Sequence, residues 1–164
     1  MQQSTDEEHP HSAPAHGIPF LAQKLTPPLI SLSQVPRENI DLQIQDASGV
    51  KLILVRAPAG FGKTTVMVQY HSRLTAQGVA CVWLNLDAAD NDVGRFIACL
   101  AAAFNQIDPA FVVMSDAITD VDGFALDLIN RISTTTRRFV LFIDEFEAIQ
   151  NQTVLDMLRQ ILHN

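Results

Sequence analysis

The chain has 164 residues, of which 48% are hydrophobic and 18% are charged, and its formal net charge is −7 at pH 7. These values predict one globular domain with a sizeable core, and an acidic chain without a basic stripe is not expected to bind nucleic acid directly. The longest near-continuous apolar stretch, residues 96–104, is too short to span a bilayer, and no secretory signal is visible. We therefore expect a cytoplasmic protein without a membrane partner.

The first 50 residues precede the regular part of the chain. Residues 1–17 are polar and lack periodicity, which predicts a disordered tail, and their histidines are interpreted as part of it rather than as a metal site. Residues 18–50 are predicted to form an N-terminal segment. In it, Pro27 and Pro28 favour an extended path, and a helix is predicted to begin at Pro36.

From residue 51 onward, strand and helix patterns alternate. Short apolar runs predict buried strands, and apolar residues spaced by three and four positions predict amphipathic helices. The predicted strands are 51–56, 79–86 and 139–143, and the predicted helices are 63–76, 92–104, 120–133 and 153–162. Such alternation is typical of an α/β fold in which helices cover both faces of a parallel sheet.

Residues 52–65 (LILVRAPAGFGKTT) carry the strongest functional signal. A glycine-containing turn follows a predicted strand and precedes a helix, which is the context of a phosphate-binding loop. Gly60 and Gly62 would let the backbone turn tightly and aim its N–H groups inward, towards the positive end of the helix. Lys63 is predicted to reach the β- and γ-phosphates of a nucleoside triphosphate, and Thr64 to place its hydroxyl on Mg²⁺.

The alternative for this stretch is a glycine-rich turn with an accidental Lys-Thr pair. Ala57 stands where the full pattern has glycine, and alanine is tolerated there if its φ angle is negative. The flanking strand and helix patterns favour the phosphate loop. The predicted ligands are ATP or ADP with Mg²⁺, bound by Ala59, Gly60, Phe61, Gly62, Lys63, Thr64 and Thr65.

A second motif follows the strand 139–143. The sequence FVLFIDE puts Asp144 and Glu145 at the carboxyl end of a buried strand, which is where parallel α/β sheets bind ligands. Asp144 is predicted to hold Mg²⁺ together with Thr64, and Glu145 to be the catalytic residue that orients or deprotonates an attacking water. The alternative is that both acids only cap the next helix. We also expect the strand 79–86 to lie between the two strands that carry the motifs.

The segment LDAADND after the second strand is also acidic. Asp87, Asp90 and Asp92 are compatible with a cation site, but helix capping plus surface charge is the favoured interpretation. Trp83 within the preceding strand is interpreted as a core residue rather than a stacking platform. Cys81 and Cys99 lie in apolar segments and are interpreted as reduced thiols.

Four motifs in order, KLTPP, APAGFGKTT, WLNLDAADND-x-x-RF and LFIDEFEAI, resemble the N-terminal ATPase module of the MalT-like large ATP-binding regulators of the LuxR family, which belong to the STAND class. The resemblance runs from about Lys24 to the end of the chain. It implies a switch that ATP and an inducer convert to a self-associating form, followed by a sensor region and a DNA-binding helix-turn-helix. It also implies phosphate and Mg²⁺ contacts for Lys63 and Thr64, a contact of Thr65 with the α-phosphate, and a Mg²⁺ carboxylate at Asp144.

Two departures from the family pattern shape the expectation for this chain. Members often have a second Asp where this chain has Glu145, and the chain ends where the family continues with a strand that senses the γ-phosphate. We therefore expect a P-loop ATPase domain over 51–164 that is incomplete at its C-terminus, in a fragment of a larger regulator. Nucleotide binding is expected to persist, whereas efficient hydrolysis and transcriptional control by this chain alone are not.

Two other functions compete with the nucleotide switch. One is a stand-alone small P-loop ATPase or kinase, although a kinase needs a basic lid and the chain has few arginines after the phosphate loop. The other is an interaction module that binds nucleotide only structurally.

Overall fold

The computed structural model describes residues 19–30, 44, 51–111, 121–136 and 138–163. The predicted tail at 1–17 lies outside these residues, as does most of the helix predicted from Pro36. Within that helix Ile44 alone is described, and it is helical and buried.

Five α-helices and two strands lie within the described residues. The helices are α1 (Pro19–Lys24), α2 (Lys63–Ala76), α3 (Val93–Asn105), α4 (Val121–Thr134) and α5 (Gln152–His163), and the strands are β1 (Ala80–Asn85) and β2 (Phe139–Asp144). Short 3₁₀ helices occupy Ala88–Asn91, Pro109–Phe111 and Phe146–Ala148. The predictions for α2 to α5, β1 and β2 are confirmed to within two residues at each end. None of the described helices combines the length and apolar composition needed to cross a membrane.

β1 and β2 pair in parallel, with Ala80 opposite Phe139 and Asn85 opposite Asp144. Parallel neighbours require a crossover connection, and α3 and α4 lie between the two strands in sequence. Helices cover both faces of this pair, since α2 packs on one face and α3 and α5 contribute to the larger core on the other. The predicted α/β fold with a parallel sheet is confirmed.

Side chains along β1 alternate between the two cores. Val82 and Leu84 point into the larger core, which holds apolar residues of α3, α4 and α5, among them Phe96, Leu100, Phe104, Leu128 and Val154. Trp83 points the other way and packs with Val68 and Leu74 of α2 and Phe142 of β2. Its ring is 1% exposed and stacks on Phe142 at 5.6 Å between ring centroids, which confirms Trp83 as a core residue. Both cysteines are free thiols, as predicted.

The prediction of a strand at 51–56 is wrong. These residues have no regular structure, and Leu52, Ile53 and Leu54 are 60%, 41% and 63% exposed. A strand exists only when its N–H and C=O groups pair with a neighbour, and among the described residues no strand pairs with this stretch. Of the predicted position of β1 between two motif-bearing strands, the pairing with β2 is confirmed, whereas no pairing with residues 51–56 is found among the described residues.

The N-terminal segment is helical where an extended path was expected. Residues Pro19–Lys24 form α1, and the following described residues, from Leu25 to Ile30, are not helical. The prolines that suggested extension, Pro27 and Pro28, disfavour helix only for themselves and the residues just before them. α1 therefore ends in the turn that precedes them.

A buried charge cluster attaches α1 to the loop after β1. Lys24 is 4% exposed, and its Nζ donates hydrogen bonds to Asp90 and, at 2.7 Å, to Oδ2 of Asp87. Arg95 of α3 adds a bond of 3.0 Å from its Nε to Oδ1 of Asp90 and one of 3.2 Å from its Nη2 to Asp87. Asp87 and Asp92 cap the helices that follow them, as predicted. The expectation of surface charge is wrong for Asp90, which is 0% exposed because two cations compensate it.

Candidate functional site

The two sequence motifs meet at the carboxyl end of β2. Thr64 lies in the first turn of α2, and its Oγ1 donates a hydrogen bond of 3.2 Å to Oδ1 of Asp144, although the two residues are 80 positions apart in sequence. Asp144 is only 6% exposed. The parallel sheet and the packing of α2 on it thus bring together two residues predicted to share one metal ion.

The turn before α2 has the backbone of a phosphate loop. Gly60 and Gly62 both have φ of 80°, which is a left-handed conformation that favours glycine. The N–H of Phe61 donates to the carbonyl of Pro58 at 3.3 Å, which closes the turn. Ala57 is not among the described residues with positive φ, so the condition for an alanine at this place is met.

The first turn of α2 presents backbone donors to this turn that pair with no described residue. Gly62 is the N-cap residue, and no described side chain caps the helix. The N–H of Val66 is bonded to the carbonyl of Gly62, so the N–H groups of Lys63, Thr64 and Thr65 precede the first intrahelical bond. Such donors at the positive end of a helix favour an anion.

Lys63 forms an ion pair across the site. Its Nζ donates a hydrogen bond of 2.8 Å to Oε1 of Glu147, with the two side chains 24% and 60% exposed. This bond raises the pKa of the Lys63 ammonium and lowers the pKa of the Glu147 carboxyl. The lysine expected to meet phosphate is therefore close to a carboxylate that would compete with phosphate for the same charge.

Glu145 has an unusual backbone conformation. Its φ is 55°, and it is the one non-glycine residue with positive φ in the described ranges. For a residue with a Cβ this conformation costs about 1–2 kcal/mol. Its N–H donates to Oδ1 of Asp144 at 3.1 Å, while its side chain is exposed and makes no hydrogen bond or ion pair with described residues. The strained turn ends β2 and directs the chain into the 3₁₀ helix that carries Glu147.

Asn91 holds the segment after that 3₁₀ helix in place. Its Nδ2 donates to the carbonyl of Ala148 at 2.9 Å, and its Oδ1 accepts from the N–H groups of Gln150 and Asn151 at 2.7 and 2.8 Å. The side chain of Asn151 bonds back to the carbonyl of Asn91 at 2.9 Å. The loop after β1 and the loop after β2 are therefore one hydrogen-bonded unit.

The chemistry of Thr64 and Asp144 fits magnesium. Mg²⁺ prefers oxygen ligands and is usually held by one or two protein groups together with phosphate oxygens and several waters. The hydroxyl of Thr64 in the first turn of α2 and the carboxylate of Asp144 at the end of β2 provide such a pair. Among the described residues there is no group of three His, Cys, Asp or Glu side chains able to hold a metal by themselves.

Sequence reasoning missed Glu147 and Asn91. Glu147 lies in the quoted motif LFIDEFEAI, three positions after Asp144, but its approach to Lys63 depends on the left-handed turn at Glu145. Asn91 lies in the segment LDAADND, but its cross-loop bonds have no local signature. The predicted residues Ala59 and Phe61 lie in the glycine turn and are exposed.

The chain resembles known regulatory proteins in sequence. It is 28% identical over 151 residues to the HTH-type transcriptional regulator MalT of Klebsiella pneumoniae, and the match covers 88% of this chain. The chain is similar to MalT. The same identity and coverage hold for MalT of Cronobacter sakazakii. The resemblance inferred from the four motifs is confirmed as a distant one.

The chain is also similar to a protein that is named as a kinase. The Serine/threonine-protein kinase PknK of Mycobacterium tuberculosis is 27% identical over 152 residues, which cover 89% of this chain. The matches span 16% of the length of MalT and 14% of the length of PknK. No protein-family model matches the chain, and no solved structure is detectably similar to it. At the family level, these similarities support the interpretation that the chain is a module of a regulatory protein.

Proposed function

We propose that this chain is the ATP-binding switch module of a transcriptional regulator similar to MalT. The observation that carries the proposal is the hydrogen bond between Thr64 and Asp144, because it joins a phosphate-type loop to the acid expected at the metal. The left-handed glycines and the uncapped start of α2 supply backbone donors at the same place.

In this proposal each residue of the loop has a distinct task. The backbone N–H groups from Ala59 to Thr65 bind phosphate oxygens, and the ammonium of Lys63 neutralises the terminal phosphates. The hydroxyl of Thr64 and the carboxylate of Asp144 hold Mg²⁺, which would neutralise phosphate charge when bound.

Glu145 is the residue we assign to the attacking water. Its carboxylate follows Asp144 directly and is accessible to solvent, as a general base in a hydrolytic site must be. Slow hydrolysis suits a switch, since the lifetime of the ATP-bound form then sets the duration of the signal. Self-association and DNA binding are assigned to the complete regulator.

The experiment that tests the proposal is nucleotide binding by thermal unfolding. At a ligand concentration 100 times Kd, binding stabilises the folded state by about 2.7 kcal/mol. For a domain of this size the melting temperature should rise by roughly 5–11 °C with Mg-ATP or ADP.

Lys63→Ala is the decisive variant. It removes the phosphate-binding ammonium and should abolish most of the shift, whereas Lys51→Ala, which removes an exposed lysine outside the turn, should leave it intact. Equal shifts in both variants, or no shift in the unmodified chain, would contradict the proposal.

A further inference from the structure

Asn85 stands at the end of β1, beside the acid of the candidate metal site. It is opposite Asp144 in the parallel register. Trp83 and Cys81, two and four positions earlier, pack with the core under α2, and strand residues two apart share a face. Asn85 and Asp144 therefore lie on the α2 face of the sheet, at the end where α2 begins with Lys63.

The side-chain oxygen of Asn85 is buried but unpaired. Its Oδ1 has less than 1 Å² of exposed surface and accepts no hydrogen bond from the described residues. A buried acceptor without a donor is unfavourable and uncommon in folded proteins. Asp144, its neighbour across the strands, already accepts bonds from the hydroxyl of Thr64 and the N–H of Glu145.

A donor or a cation at the ends of β1 and β2 would satisfy the unpaired oxygen of Asn85 beside the carboxylate of Asp144. A hydrated Mg²⁺ ion supplies both, because its waters carry strongly polarised O–H groups and several of them remain bound in protein sites. Direct amide ligation is less suited to the site, since Thr64 and Asp144 already provide the one or two protein oxygens that are usual for Mg²⁺.

We propose that Asn85 is a positioning residue of the metal site, whose Oδ1 accepts a hydrogen bond from a water bound to the Mg²⁺ ion that Thr64 and Asp144 hold. This inference rests on the proposed nucleotide-binding function. In other metal sites, residues that do not bind the metal directly orient its ligands and its waters, and Asn85 would act in the same way. In β1, whose sequence is ACVWLN, Asn85 is the polar residue at the end of an apolar run.

The test is the magnesium dependence of nucleotide affinity. A non-hydrolysable ATP analogue is titrated into the 164-residue chain with Mg²⁺ or with EDTA, and binding is followed through the fluorescence of Trp83, the single tryptophan. Asn85→Leu keeps the side-chain volume but removes the acceptor. It should leave the affinity in EDTA unchanged and reduce the gain produced by Mg²⁺ by about tenfold.

Three controls make the result specific. Asn85→Asp retains an acceptor oxygen and should keep the gain, which separates loss of the acceptor from a general disturbance of β1. Asn130→Leu, at an exposed position of α4, should behave as the unmodified chain. In nucleotide-free protein, Asn85→Leu should unfold at a temperature no lower than the unmodified chain, because it removes a buried unpaired acceptor.

The outcomes separate the inference from the function it rests on. An unmodified chain that binds the analogue, with equal Mg²⁺-dependent gains in the unmodified and Asn85→Leu proteins, overturns the inference alone. Loss of the gain in Asn85→Asp as well as in Asn85→Leu also overturns it. An unmodified chain that binds no nucleotide overturns both proposals.

Discussion

The Nζ of Lys63 lies 2.8 Å from Oε1 of Glu147, so the first residue of α2 is paired with an acid from the loop after β2. Phosphate groups bound at the glycine turn would compete with this carboxylate for the ammonium. The pair favours the charged form of Lys63, since the hydrogen bond to Glu147 raises the pKa of the lysine. A bound phosphate must also displace the carboxylate of Glu147 from the ammonium of Lys63, and the ion pair therefore opposes nucleotide binding.

Glu147→Gln should strengthen nucleotide binding. The substitution preserves the shape of the side chain but removes the competing charge, and for a solvent-exposed pair we expect a gain in affinity of about two- to fivefold. The measurement is a titration with ADP at fixed ionic strength. Asp156→Asn, which removes an exposed acid from α5, is the matched control. A weaker or unchanged affinity in Glu147→Gln would show that the pair does not oppose binding.

Lys24→Met should destabilise the fold. Lys24 and Asp90 are almost wholly buried, and loss of the lysine leaves Asp90 with Arg95 as its remaining side-chain cation in the described cluster. Breaking a buried pair costs about 3–5 kcal/mol, and we expect a value near the lower end because Arg95 remains. Urea unfolding measures the effect.

An exposed ion pair provides the comparison for the buried cluster. Arg159→Met breaks the pair with Asp156 on the surface of α5 and should cost less than about 1 kcal/mol. Similar losses for Lys24→Met and Arg159→Met would mean that α1 is not held by the buried charges.

The stability of the chain should fall as the pH is lowered from 7 to 5. His71 contacts the rings of Trp83 and Phe142, with centroids 5.8 and 5.3 Å away, and burial lowers its pKa below the ordinary value. The folded state therefore favours neutral imidazole. Its contribution to stability is complete above the unfolded-state pKa of about 6.5 and is lost as the pH falls through the lower pKa of the folded state.

His71→Phe should flatten this part of the pH profile. The measurement compares urea midpoints at pH 7 and pH 5.5, followed through Trp83. Tyr70→Phe alters the same aromatic cluster, where Tyr70 contacts Phe142 edge-on, but retains the imidazole and should keep the dependence. An unchanged slope in His71→Phe would assign the dependence to other groups.

Asn91→Ala should loosen the loop that carries Glu147. The N–H groups of Gln150 and Asn151 lose their acceptor, and the expected destabilisation is about 1–3 kcal/mol. Amide hydrogen exchange should increase at these two residues more than in β1. Asn130→Ala on the exposed side of α4 is the control, and equal exchange in both variants would contradict a bridging role for Asn91.

The sequence by itself determined the features that depend on neighbouring residues. The left-handed glycines Gly60 and Gly62, the start of α2 at Lys63 and the cap at Asp92 follow from backbone preferences within a few positions. Apolar periodicity likewise located β1, β2 and the helices from α2 to α5, because one face of each must be buried.

Only the tertiary structure decided which distant groups meet. An apolar run such as 51–56 has strand propensity, but it becomes a strand only beside a partner whose backbone groups it can pair with. The burial of Asp90 with Lys24, and the approach of Glu147 to Lys63, depend on contacts between residues 66 and 84 positions apart. Such contacts leave no local pattern, because their energy arises from charges brought together by the packing of whole elements.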